Sequence, residues 1–162
     1  MRTVRIFPTI LLSTVLASFT IDKPCGETPL LNKKVIEFVN ANMGKKVGVG
    51  ECWDVASGAL DKAGAIWDGN YKFGKEVDYK KTCIFPGDIV QFEGVVLTYT
   101  IEDASYTETL LHHTAIIYSV KEKGEYTIAD QNTKANGKKV ATHAFAAKNV
   151  VKGKFTIYRP QN

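Results

Sequence analysis

Cys52 stands in Gly50-Glu51-Cys52-Trp53-Asp54, directly ahead of Val55-Ala56-Ser57-Gly58-Ala59-Leu60. This pattern places a thiol at the start of an amphipathic helix. The free N–H groups and the positive dipole end of a helix start favour a thiolate. The thiolate, not the thiol, is the nucleophile. A lone cysteine more commonly serves as a small buried residue, so a chemical reading of Cys52 requires a base and an orienting group further along the chain. Glu51 and Asp54 lie at the helix start, where acids suit the dipole. Their charge also opposes a thiolate beside them.

Two histidines qualify as the base. His113-Thr114-Ala115-Ile116-Ile117-Tyr118-Ser119-Val120 is rich in β-branched residues and predicts a strand. Strand side chains alternate between faces. His113, Ala115 and Ile117 therefore share one face, and His112, Thr114, Ile116 and Tyr118 the other. A histidine that faces a packed helix needs a small neighbour two residues on. Ala115 supplies it, which favours His113 and leaves His112 to flank a cleft. The plainer reading of His113 is an ordinary histidine at a sheet edge.

Residues 126–132 predict the next strand, with Ile128, Asp130 and Asn132 on one face and Gln131 on the other. Either Asp130 or Asn132 could accept a hydrogen bond from His113 and fix its tautomer. That is the third role in a nucleophile, base and orienter set. Asp and Asn also commonly begin turns. His143 has no partner in the sequence and reads as a surface or packing residue.

These groups need elements to hold them. From Leu30 the spacing turns helical, with Leu31, Val35, Phe38 and Val39 on one face and Gly44 as a stop. Residues 45–50 form a glycine-bearing approach to Cys52, read either as a helix connection or as room for substrate. The second helix is expected over residues 51–63. Its small residues Ala56, Gly58, Ala59 and Ala63 would let it pack closely on a sheet. Residues 65–82 read as a loop with one short element. Pro86-Gly87-Asp88 is a turn signal ahead of the strand Ile89-Val90-Gln91-Phe92. Residues 95–100 read as a strand or hairpin arm, and the polar, acidic residues 101–109 as an exposed loop. Asn136-Gly137 marks a tight turn, and residues 154–159 the last strand. Helices first and an antiparallel meander after them predict an α+β domain.

The 162 residues open on a charged, apolar, small-residue order: two arginines in residues 1–5, a largely apolar run over residues 6–17, then Ala17 and Ser18. This is the order of a secretory signal peptide, with cleavage expected between Ala17 and Thr20. The run falls short of the roughly 20 residues of a membrane span, and Pro8 interrupts it. Residues 22–24 lack the small apolar residues of a lipoprotein signal, so lipidation of Cys25 is not expected. We expect a signal peptide over residues 1–20, a linker over 21–29 and one domain over 30–162. No stable membrane insertion is expected after cleavage, and the protein is expected to be secreted or periplasmic. The formal net charge of +4 falls to +2 when Arg2 and Arg5 are removed. With no run of like charge and no interleaving of Lys/Arg with aromatics, nucleic acid is a weak partner. The oligomeric state is left open. Of the three cysteines, Cys25 and Cys83 could form a disulfide that leaves Cys52 free. Sequence does not place their Cα atoms within bonding range. No pair has the CxxC spacing of a structural zinc site.

Gly50-Glu51-Cys52-Trp53-Asp54 resembles the cysteine motif of the CHAP family, the cysteine- and histidine-dependent amidohydrolases/peptidases. Pro86-Gly87-Asp88-Ile89-Val90-Gln91-Phe92 is similar to the strand that these proteins share with NlpC-type hydrolases. His113-Thr114-Ala115-Ile116-Ile117 resembles their histidine strand, and Ile128-Ala129-Asp130-Gln131-Asn132 their acidic-x-asparagine ending. The order agrees, with 61 residues from Cys52 to His113, 17 on to Asp130 and 19 to Asn132. Three departures stand out. Glu51 takes the place of a common glutamine, Asp130 that of the more usual glutamate, and residues 94–111 are elongated.

The resemblance implies a papain-like CHAP/NlpC-type fold, with N-terminal helices, one carrying Cys52, on an antiparallel sheet of about five to six strands. It implies hydrolysis of peptidoglycan amides, with Cys52 attacking, His113 as base and then acid, and Asn132 or Asp130 orienting His113. Peptidoglycan or a peptide would be the substrate, and no metal or organic cofactor is needed. The alternatives are a toxin-like amidase, a protease, deamidase or acyltransferase acting on another amide, or a non-catalytic binding module.

Overall fold

The apolar spacing that begins at Leu30 becomes helix α1 (Leu30–Asn42), which buries Leu31, Val35 and Val39. A computed structural model describes residues 25–162. The expected signal peptide and the first part of the expected linker lie outside the described residues, and residues 25–29 have no regular structure. Helix α2 (Cys52–Ala63) begins at Cys52 with Glu51 as its N-cap, and ends on Gly64 in the left-handed conformation. That is a common helix stop.

Six strands follow: β1 (Lys75–Val77), β2 (Ile89–Ile101), β3 (Ala104–Glu122), β4 (Glu125–Asp130), β5 (Ala141–Ala146) and β6 (Val150–Arg159). They form one antiparallel sheet in the order β1-β6-β2-β3-β4-β5. Two helices on a six-stranded antiparallel sheet make the expected α+β architecture.

Strand alternation gives the sheet two buried faces. Ile89, Ile116 and Ala129 face α1 and α2 through Val35, Val39, Val55, Ala59 and Leu60. Val90, Phe92, Ala115, Ile117, Ile128 and Phe145 face the other way and form a second core. This second core closes because the sheet curls on itself. Phe145 of β5 and Phe155 of β6 are separated by three intervening strands, yet their ring centroids lie 5.2 Å apart. In a flat sheet the two strands would be about 19 Å apart at the usual strand spacing. Phe92 joins them edge-on to Phe145 at 5.0 Å.

The expected loop at residues 101–109 is instead the tip of a long hairpin. β2 and β3 pair without a break from Val95↔Leu110 to Ile101↔Ala104, and Glu102 and Asp103 make the turn with φ of 47° and 66°. Positive φ at both central residues suits the twist of a two-residue hairpin, and Asp tolerates it. Tyr99 and Tyr106 stack across the pair at 5.7 Å, so threonine and tyrosine alternation outweighs acidic composition here.

The Pro86-Gly87-Asp88 turn anchors the start of β2. Asp88 is fully buried and accepts from Arg159 Nε (3.1 Å) and Nη2 (2.7 Å), from Asn32 Nδ2 (2.8 Å) and from the Phe85 N–H (2.9 Å). One carboxylate thus joins α1, β2 and β6. Cys25 and Cys83 are disulfide-bonded with Cα atoms 5.7 Å apart, which leaves Cys52 as the free thiol. No described helix is long and apolar enough to cross a membrane.

Candidate active site

The start of α2 is held by its own acids. Asp54 Oδ2 accepts from the Gly50 and Glu51 N–H groups, both at 2.9 Å, which satisfies donors left free at the helix start. Glu51 turns instead to Asn132 Nδ2 (2.8 Å) and Lys138 Nζ (3.4 Å). The two carboxylates that threaten a thiolate in sequence are therefore bound elsewhere. The glycines of the approach loop serve the same packing. A Cβ at Gly48, where φ is +56°, would lie 2.6 Å from Asp54 Cγ, and one at Gly50 would lie 2.6 Å from Lys138 Cδ. These glycines make room for Asp54 and Lys138, not for a substrate.

Gln131 fixes the loop to the sheet. It is fully buried and donates to Val47 O (2.9 Å) and Glu51 O (2.8 Å), while its Oε1 accepts from the Val47 N–H (3.1 Å). Reading Gln131 only as a residue on the opposite face from Asp130 missed this role. A buried amide with three loop contacts follows from that same face, since it is the helix side of the sheet.

The β3–β4 ladder ends at Ile116↔Ala129. Just beyond that pair, His113 Nε2 lies 2.7 Å from Asp130 Oδ2, with Asp130 fully buried and His113 nearly so. Cys52, at the start of α2, lies close enough to His113 for each to shift the other's titration. With Nε2 taken by Asp130, Nδ1 is the nitrogen left for sulfur. The structure thus brings Cys52, His113 and Asp130 into one line. His113 reaches this position from the face of the second core, beside Phe92 at 6.2 Å between ring centroids. Ala115 belongs to that core and not to the helix interface. The small-neighbour argument for His113 therefore fails, although His113 is the histidine in place.

Asn132 is not in the line. Its φ of +64° turns it out of the strand, and its amide binds Glu51. Of the two candidate orienters, the structure places Asp130 on His113 and Asn132 on the helix cap. Aspartate proves long enough, since its carboxylate reaches the ring directly. His112 occupies the helix-side face, where Nδ1 lies 2.9 Å from Glu93 Oε2 and Tyr71 meets the ring edge-on at 4.3 Å. Thr114 and Gln91 continue this polar strip, with Thr114 Oγ1 donating to Gln91 Oε1 at 2.5 Å. His143 Nε2 lies 3.2 Å from Asp130 Oδ2 without an aligned hydrogen bond, a proximity the sequence does not show.

Electrostatics follow from this geometry. Burial pushes the Cys52 thiol up, but the His113 hydrogen bond, the Thr114 N–H, the His113 charge and the Trp53 N–H together hold it below its ordinary value. Burial pushes His113 down, but its bonds to Asp130 and Cys52 and their charges outweigh this and raise it to about 9. A thiol held below its ordinary value beside an imidazole held above its own is the pairing of a nucleophile with its base. Among the described residues, no group of three or more His, Cys, Asp or Glu is arranged to hold a metal ion. A cavity of about 590 Å³ lined by Cys25, Tyr79, Ile84 and Tyr126 lies at the disulfide and includes none of these three residues.

Comparison with known proteins places the chain in a family. The model of the AIM3/BBC1 cysteine proteinase-fold domain matches residues 31–162. The crystal structure of Ly7917 is 19% identical over 78% of this chain and 62% of that one, with a TM-score of 0.44. The structure of Ly7917 with the hydrolyzing product of MDP is 20% identical over 80% and 62%, also with a TM-score of 0.44. The chain thus spans 62% of the length of these structures. A search of curated protein sequences finds no match. On the match that spans both helices, all six strands and the Cys52–His113–Asp130 line, the chain belongs to the AIM3/BBC1 cysteine proteinase-fold domain family.

Proposed function

We propose that this protein is an exported thiol hydrolase of amide bonds in peptidoglycan, with Cys52 as nucleophile. The observation that carries the reading is the half-buried Cys52 beside the buried His113–Asp130 pair, with the thiol held below its ordinary pKa. The CHAP-like motifs around Cys52, Pro86, His113 and Asp130 supply the substrate class. The Cys25–Cys83 disulfide suits an oxidising compartment. It fits a signal peptide over residues 1–20 and a linker over 21–29, ahead of a catalytic domain over 30–162.

Cys52 Sγ adds to the amide carbonyl carbon. The oxyanion that forms is met by the Cys52 N–H at the helix start. His113, already protonated, gives its proton to the leaving amine as the C–N bond breaks. A thioester remains. His113 then takes a proton from water, whose oxygen attacks the thioester carbon. A carboxylic acid leaves, and the thiolate–imidazolium pair is restored. Asp130 holds the imidazolium in orientation throughout and stabilises its charge.

The experiment is digestion of purified peptidoglycan by the wild type and by Cys52→Ser, with new amine ends counted. The wild type should release them and Cys52→Ser should not; equal release by both would remove Cys52 from the chemistry. A second reading, hydrolysis of another amide, is favoured by the elongated β2–β3 hairpin beside the site. Activity on peptide substrates with intact peptidoglycan would select it.

A further inference from the structure

Asp130 is held in an unusual way. It is fully buried, and its Oδ1 has no partner among the described residues. Both imidazoles near it lie on Oδ2: His113 Nε2 at 2.7 Å and His143 Nε2 at 3.2 Å. The sheet register explains the second approach. On β5, Ala141 sits opposite Asp130 and His143 opposite Ile128. His143 is therefore the diagonal, same-face neighbour of Asp130, within reach of a ring side chain. The contact is close but not an aligned hydrogen bond, and the His143 side chain is 32% exposed.

We propose that His143 is a positioning residue for the Cys52–His113–Asp130 line, bracketing the buried Asp130 carboxylate from the side opposite His113. The proposal rests on reading those three residues as nucleophile, base and orienter. A buried carboxylate needs donors to stay charged. Asp130 gets none at Oδ1, so the His113 bond on Oδ2 carries that task and the His143 ring edge, 3.2 Å from the same oxygen, adds a polar neighbour to it. Around His143, the structure records Asp130 on β4 and, through it, His113 on β3 and Cys52 on α2. The line carries a net negative charge. Replacing the polar ring beside Asp130 with an alkyl group makes proton uptake easier, so the acid side of Cys52 ionisation should move to higher pH.

The test uses the full chain and the rate of Cys52 alkylation by iodoacetamide against pH. No substrate is required, and Cys52 is the one thiol outside the disulfide. His143→Leu should move the acid limb up by about half a pH unit, the scale of a polar contact that falls short of a full hydrogen bond to a charged acceptor. His143→Gln, which keeps an N–H near the Nε2 position, should restore most of the shift. A purely packing role would change stability in both variants and leave the limb in place. An unmoved limb in His143→Leu overturns the proposal, as does an equal shift in both variants. Should His143→Leu fail to fold, nitrogen NMR of the wild type decides: the His143 proton should sit on Nε2, and an unprotonated Nε2 at neutral pH overturns the proposal. A wild type that alkylates like an ordinary thiol overturns the reading of the line and the proposal with it. A low wild-type limb that His143→Leu leaves unmoved overturns the proposal alone.

Discussion

At the scale of single residues, the site rests on one imidazole shared by a sulfur and a carboxylate. His113 is raised to about 9 by Asp130 and Cys52 against the effect of burial. Hydrolysis should therefore fall on the alkaline side with an apparent pKa near 9, as imidazolium is lost, which a pH–rate profile checks. The stability sign follows from the same shift. His113 stands above its ordinary 6.5, so its contribution is full below about that pH and is lost as pH rises through 9. Melting temperature should decline over that window in the wild type and less so in His113→Ala. Asp130→Asn should cost roughly 10²–10⁴-fold in hydrolysis, because an amide neither fixes the tautomer nor balances the imidazolium. Asn132→Ala should cost far less, because Asn132 binds Glu51 and not His113. Strand alternation left Asp130 and Asn132 equivalent in the sequence, since both fall on one face. What separates them is a positive φ at Asn132, a backbone property that residue types do not announce. His143 was invisible for a different reason. Its relation to Asp130 depends on the β4–β5 register, which the intervening turn sets.

At the scale of elements, the helix that carries the thiol is fixed at both flanks. Asp54 closes its first turn, and Gln131 ties the preceding loop to β4. Gln131→Leu would leave the Val47 N–H without its acceptor and take one of two donors from each of the Val47 and Glu51 carbonyls. Each buried polar group left unpaired costs about 1–3 kcal/mol. We expect the variant to lose several-fold in kcat beyond its loss in melting temperature, measured by kinetics well below the melting point. Helix positions were legible because apolar spacing and glycine stops agree, as at Leu31, Val35 and Val39 with the stop near Gly44. The hairpin tip was not. Glu102, Asp103 and Glu108 make residues 101–109 look like a solvated loop, while Thr98↔Thr107 and Tyr99↔Tyr106 pairs hold them as strands. Cross-strand pairing is non-local, so composition alone points the wrong way.

At the scale of the whole molecule, two links hold the curled sheet to the chain's entry. Asp88 binds Arg159 with two hydrogen bonds while also holding Asn32 and the Phe85 N–H. Asp88→Ala would leave the Arg159 guanidinium, itself largely buried, without its partner, at a cost of about 3–5 kcal/mol. Urea denaturation should show that loss as a lower midpoint with an unchanged slope. The Cys25–Cys83 bond closes a separation of 58 residues. In the chain-entropy view, its reduction should cost up to about 4 kcal/mol. The chemistry, by contrast, rests on Cys52 being a thiolate held by His113 when the molecule is folded. Its most direct test is the rate of Cys52 alkylation by iodoacetamide at pH 6, set against an exposed model thiol of pKa about 8.5. Cys52 should react at least about tenfold faster than the model thiol, which is under about 1% thiolate at that pH. A folded protein whose Cys52 reacts no faster than the model thiol, with a rate that rises only as pH approaches 8.5, would contradict it.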